Sequence, residues 1–106
     1  MSKIAAGVAA EAVDAFNRVL GRQCEVRPWI PCVAKALRAG HTVEDMHAAI
    51  FFVEQRWSEE LKANISPLTL FKLTSTQGKG TLPEYAAQGR ELWHEQFPGE
   101  DYPWKK

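Results

Sequence analysis

The chain has 106 residues, 45% of them hydrophobic and 25% charged. That length excludes two domains, and the composition is that of an ordinary globular protein able to bury a core without staples. Thirteen basic residues balance thirteen acidic ones, so the net charge is zero, which argues against a protein that holds nucleic acid by bulk charge alone.

The charge is unevenly placed. Residues 1–40 carry six basic and three acidic side chains, residues 41–63 two and five, and residues 64–106 five and five. Cys24 and Cys32 are too few for a disulfide framework and fit no zinc spacing, so two free thiols are expected. His41 and His47 are six residues apart and do not share a helical face as an i,i+4 metal pair would. Glu11 and Asp14 interrupt the Ala-rich start, so no secretory leader is expected there. No run approaches the roughly 18 apolar residues of a membrane helix. A cytoplasmic protein without membrane contact is the expectation.

Residues 5–20 read as a first helix, with Ala9, Val13, Phe16 and Leu20 on one face and Gly21 placed for a left-handed cap. A connector follows at 22–28. A second helix is predicted from about Trp29 to Ala39, because Pro31 is tolerated only in a first turn and Gly40 ends the run. Ile30, Val33, Ala34 and Leu37 form its apolar face.

Thr42 and Asp45 then resemble a capping box with Asp in place of Glu, and Glu44 and Asp45 suit the positive end of a helix dipole. Val43, Met46, Ile50, Val53 and Trp57 step by three, four, three and four, the inward stripe of a central helix over about 42–61. Phe51 and Phe52 lie off that stripe. Either they make the helix apolar all round and central to the fold, or they form an exposed aromatic pair for a partner.

Ser66 and Pro67 start a short helix with Leu68, Leu70, Phe71 and Leu73. "TSTQGKG" at 74–80 is a loop. Thr81 as N-cap and Glu84 at the capping-box position open a last helix to about Gln96, which Gly89 weakens in its middle. Nothing alternates with period two. The expected fold is all-α: a compact bundle of four to five short helices around the central one, a single domain over 1–97, and a flexible tail at 98–106.

No chemistry stands out. "GKGT" at 78–81 lacks Walker spacing and follows no strand. Glu59 and Glu60 are adjacent and point to different sides of a helix, and His94 suits a helix C-terminus. The chain is expected to be no enzyme and to use no cofactor or metal.

The order of signals resembles the conserved phage C-terminal domain of phage replisome-organiser and replication proteins. That family's pattern is a first helix ending in Leu-Asn-x-x-x-Gly, a basic helix, a Gly-x-Thr-x-Glu-Asp helix start, a helix ending in Trp, and a Pro-x-Thr-Leu-Phe segment. Here the pieces are "VDAFNRVLGR" at 13–22, "KALRAGHTVEDM" at 35–46, "VEQRW" at 53–57 and "SPLTLFK" at 66–72. The likeness covers about residues 9–73. The chain departs in having Phe16-Asn17 for Leu-Asn, two prolines and a tryptophan in "RPWIPCVAKA" and a further helix after the Thr-Leu-Phe, and the expectation is that no DNA-binding domain stands ahead of it.

The resemblance implies a phage or prophage DNA-replication accessory, in a bacterial host, that binds the replicative helicase, its loader, or single-stranded DNA. Arg18, Arg22, Arg27, Lys35 and Arg38 are the candidate phosphate contacts, with Lys62, Lys72 and Lys79 joining them if the chain folds back, and Trp29 as a stacking platform. Thr42, Asp45, Trp57, Pro67, Leu70 and Phe71 are read as a structural corner, with Trp57 closing the central helix and Leu70 and Phe71 folding back onto it. The alternative is a protein-interaction module, alone or as a homodimer, that uses Phe51 and Phe52 and leaves DNA alone. A helix-turn-helix over 29–57 fits the turn but gives an acidic reading helix, with Glu44, Asp45, Glu54, Glu59 and Glu60, which suits DNA poorly.

Overall fold

The computed structural model describes residues 3–71 and 80–102. Helix α1 runs Lys3–Leu20, α2 Ile30–Arg38, α3 Val43–Arg56, α4 Glu59–Asn64, the single turn α5 Pro67–Leu70, and α6 Thr81–Gln96, with a 3-10 turn at Arg27–Trp29. Among the described residues there is no strand, and the fold is all-α. No described helix is long and apolar enough to cross a membrane.

The first two helices end where glycine lets them. Gly21 takes φ +66° and Gly40 φ +95°, conformations that cost a side-chain-bearing residue about 1 kcal/mol or more. After Gly21 the Arg22 N–H reaches back 2.9 Å to the Asn17 carbonyl. After Gly40 the His41 N–H does the same to Ala36 at 3.0 Å. These are the long bonds of the Schellman motif, which satisfy carbonyls the helix leaves open. The Asn17 side chain adds a latch. Its amide donates to the Cys24 carbonyl at 2.9 Å and its oxygen accepts the Cys24 N–H at 2.8 Å, so the connector is tied back to the end of α1.

Helix α3 starts with the expected capping box. The Asp45 N–H donates to Thr42 Oγ1 at 3.3 Å and the Thr42 N–H to Asp45 Oδ2 at 2.9 Å. The helix is shorter than the predicted span to about 61. It ends at Arg56, Trp57 turns extended, and Ser58 caps a separate α4 by accepting from the Leu61 N–H. Ser58 followed by Glu59 and Glu60 is a complete helix start, and it competes with continuation of α3. The start of α6 also differs from expectation. Gly80 is the N-cap and Thr81 already lies inside the helix, with no side-chain cap bond.

Helix α3 is the centre. Helix α6 packs along one side of it, α1 along another, and α2 lies against α1. Phe16, Met46, Ile50, Val53, Leu70, Phe71 and Leu82 are fully buried or nearly so and share one cluster. Each side chain of this size contributes about 1.5–3 kcal/mol by leaving water. Gly89 is buried where α6 crosses α3, and a Cβ there would lie 1.9 Å from the Ala48 carbonyl oxygen. It is a contact point between two helices, which outweighs the local weakness its helix propensity suggested. Residues 97–102 return over α6: the Trp93 indole N–H donates to the Glu100 carbonyl at 3.1 Å, and the Tyr102 hydroxyl lies 2.7 Å from His94 Nε2. Residues 103–106 of the expected tail lie outside the described residues.

Candidate nucleic-acid interface

The fold divides the nine residues that the sequence offers for nucleic-acid contact. Arg27, Lys35 and Arg38 are exposed. Lys35 and Arg38 lie with exposed Pro31 at steps of four and three, which sets them on the outer side of α2, and Arg27 precedes them in the 3-10 turn that leads into the helix. Val33 and Ala36 are buried on the inner side. At 1.5 Å per residue this row is about 17 Å long. Among the described residues none of the three cations makes an ion pair. Trp29 is half-buried at the start of the row, and its carbonyl accepts the Cys32 thiol at 3.1 Å. Burial pushes the Cys32 thiol pKa up, against smaller lowering effects from backbone hydrogen bonds.

Arg18 stands apart on α1, 3.8 Å from Asp14 in an exposed pair of the kind that contributes little. Arg22 and Lys62 are brought together, but as structure. The Arg22 guanidinium donates to the carbonyls of Lys62 and Ile65 and lies 5.8 Å from the Phe16 ring centre. Lys62 pairs with Glu59 at 2.8 Å and donates to the Glu54 carbonyl at 3.4 Å. Both cations are engaged in holding the α1 end, α3 and α4 together. Lys72 and Lys79 lie outside the described residues.

The aromatic pair named for partner contact is half-buried under α6. Phe51 meets Trp93 edge-on at 5.5 Å, and Phe52 packs on Tyr85 at 5.1 Å. The structural corner forms with one change of partner. Pro67, Leu70 and Phe71 are buried, and Trp57 packs against the same core. The ring that stands edge-on to Trp57 is Tyr85 of α6, 6.0 Å away, where sequence had suggested phenylalanine.

Asp45 is more than a cap. Arg90 of α6 reaches its Oδ1 at 2.7 Å, and His41 Nδ1 lies 3.5 Å from Oδ2. Burial raises its pKa, but the Thr42 N–H, the Arg90 guanidinium and His41 together outweigh that, and the net shift is downward. One carboxylate thus joins the end of α2, the start of α3 and the middle of α6. The Asn17 latch, the Arg22 anchor, the Arg90 pair and the Gly89 contact were not foreseen. Only Asn17 had a local signal, its place in the Asn-x-x-x-Gly ending of α1.

No family model, curated protein or solved structure matches the chain.

Proposed function

We propose that the protein is a phage or prophage DNA-replication accessory that binds single-stranded DNA along α2 and acts beside the replicative helicase or its loader. The order of motifs over residues 9–73 supports the replication setting. The observation that carries the DNA reading is the row of Arg27, Lys35 and Arg38, exposed, close together and without ion pairs among the described residues. A row about 17 Å long with an aromatic ring at one end has the parts a single strand needs: cations for its backbone and a face for a base.

The test is fluorescence anisotropy of a labelled oligo-dT titrated with the protein at two salt concentrations. Three phosphate contacts on a single strand predict a slope of log K against log salt of about −2. Flat traces at low salt overturn the reading.

A second reading is favoured by the loss of Arg22 and Lys62 to the fold. With two fewer free cations and a net charge of zero, a module that binds a protein and no DNA, alone or as a homodimer, fits the same resemblance. Flat traces would select it.

A further inference from the structure

The geometry points to the groove between α3 and α6 as a docking site for a basic segment of a protein partner. This rests on a different surface from α2 and stands whether or not α2 binds DNA.

The groove is built from two rows. Helix α3 contributes Phe52 and Arg56, one turn apart, and α6 contributes Gln88, Glu91, Leu92 and Glu95. Phe52, half-buried, and Leu92, almost fully buried, form an apolar floor. Glu91 and Glu95 are exposed at the rim. Glu84 belongs to the same row, since 84, 88, 91 and 95 step by four, three and four along α6. Among the described residues none of these three glutamates makes an ion pair. Arg56 is the cation among the lining residues, and the carboxylates of the row outnumber it. Arg90, the other arginine nearby in sequence, is turned to Asp45.

Charge and shape choose the occupant. The groove holds about 190 Å³, below the roughly 300 Å³ where enclosed small-molecule sites begin. Its carboxylates repel a phosphate backbone. A lysine or arginine side chain satisfies both parts at once, its aliphatic stem on Phe52 and Leu92 and its charged head at Glu91 and Glu95. A helix or strand of the partner that alternates such cations with apolar residues would run along the groove toward Glu84.

The experiment uses the whole chain, isotope-labelled, titrated with a short synthetic peptide of leucine and lysine and followed by amide chemical shifts. A peptide of equal charge made from glycine and lysine is the control. The expected result is shift changes confined to residues 52–56 and 84–95, and binding about tenfold or more weaker in the E91K/E95K variant, as reversal of complementary charges requires. The glycine peptide should bind clearly less well, because it offers the floor nothing apolar. Both substituted positions are exposed, so the variant should keep the thermal unfolding midpoint of the parent. Shifts centred on Glu59 and Glu60, equal binding by the variant, or equal binding by the glycine peptide would each overturn the proposal. So would a dimer in sedimentation velocity that E91K/E95K dissociates, since the groove would then belong to a second copy.

Discussion

Gly89 of α6 sits so close to Ala48 of α3 that a methyl group on it would lie 1.9 Å from the Ala48 carbonyl oxygen and 2.7 Å from the carbonyl carbon. That oxygen belongs to the backbone, so no side-chain rotation relieves the clash. Alanine is the better helix former by about 1 kcal/mol, yet overpacking a helix contact costs about 1–3 kcal/mol and occasionally more. Gly89→Ala is therefore expected to destabilise the protein by about 1–2 kcal/mol, the overpacking cost less the gain in helix propensity, read as a lower urea midpoint. Gly7 provides the control. It lies in α1 with nothing within 4 Å of the added methyl, and Gly7→Ala should stabilise by about 0.5–1 kcal/mol. If both changes stabilise, the helices are not in contact at Gly89.

Asp45 makes stability depend on acid. Its folded pKa is depressed because the Thr42 N–H, Arg90 and His41 outweigh the effect of burial. The unfolded chain would titrate near the ordinary Asp value of about 3.9. A depressed carboxylate contributes stability that is fully present above the unfolded pKa and is lost as pH falls through the folded one. Asp45→Asn keeps an oxygen for the Thr42 N–H but loses the charge that Arg90 and His41 meet, so it should cost about 0.5–1 kcal/mol near neutral pH, the order of a partly exposed ion pair. The difference from the parent should shrink below about pH 4. Urea unfolding of both proteins across that range measures it. A gap that stays constant with pH would remove the carboxylate charge from the account.

These two sites show where sequence reading succeeds and stops. The Thr42–Asp45 box, the glycine ends of α1 and α2, and the Met46, Ile50 and Val53 stripe are local patterns, each set by residues within a turn or two of one another. They are legible because helix caps and periodicity are local physics. The Ala48–Gly89, Asp45–Arg90 and Arg22–Ile65 contacts join positions some forty residues apart, and nothing near either partner announces them. Propensity alone makes Gly89 a weakness, since it knows nothing of the helix across the contact. Phe51 and Phe52 show the same limit. Periodicity left them between core and surface, and the packing of α6 decides it. The candidate cations were legible as a group only by their closeness in the chain, and three-dimensional contacts took Arg22 and Lys62 out of it.

Arg22 should behave as part of the fold. Its guanidinium donates to two backbone carbonyls, those of Lys62 and Ile65, and hydrogen bonds from a charged donor contribute about 1.5–3 kcal/mol. Arg22→Ala is expected to lower stability by about 2 kcal/mol, while Arg38→Ala on the exposed side of α2 leaves the urea midpoint close to the parent's. Arg22→Lys should recover only part of the loss, because an ammonium cannot reproduce the planar fork. Equal midpoints for Arg22→Ala and Arg38→Ala would mean that the anchor contributes nothing.

The α2 row can be dissected one charge at a time. If each of Arg27, Lys35 and Arg38 neutralises one phosphate, each single change to glutamine lowers the salt slope of oligo-dT binding by about 0.7. The triple variant should then bind with almost no dependence on salt. Arg18→Gln is the matched control, an exposed α1 arginine beside Asp14, and it should leave the slope unchanged. Trp29 tests the other half of the interface. Stacking contributes about 1–3 kcal/mol per base, so Trp29→Ala should weaken binding at every salt concentration without changing the slope, and Trp29→Phe should restore much of it. A slope that falls equally for Arg18→Gln and Arg38→Gln would mean diffuse attraction to the first 40 residues, and the α2 row would have no special part in it.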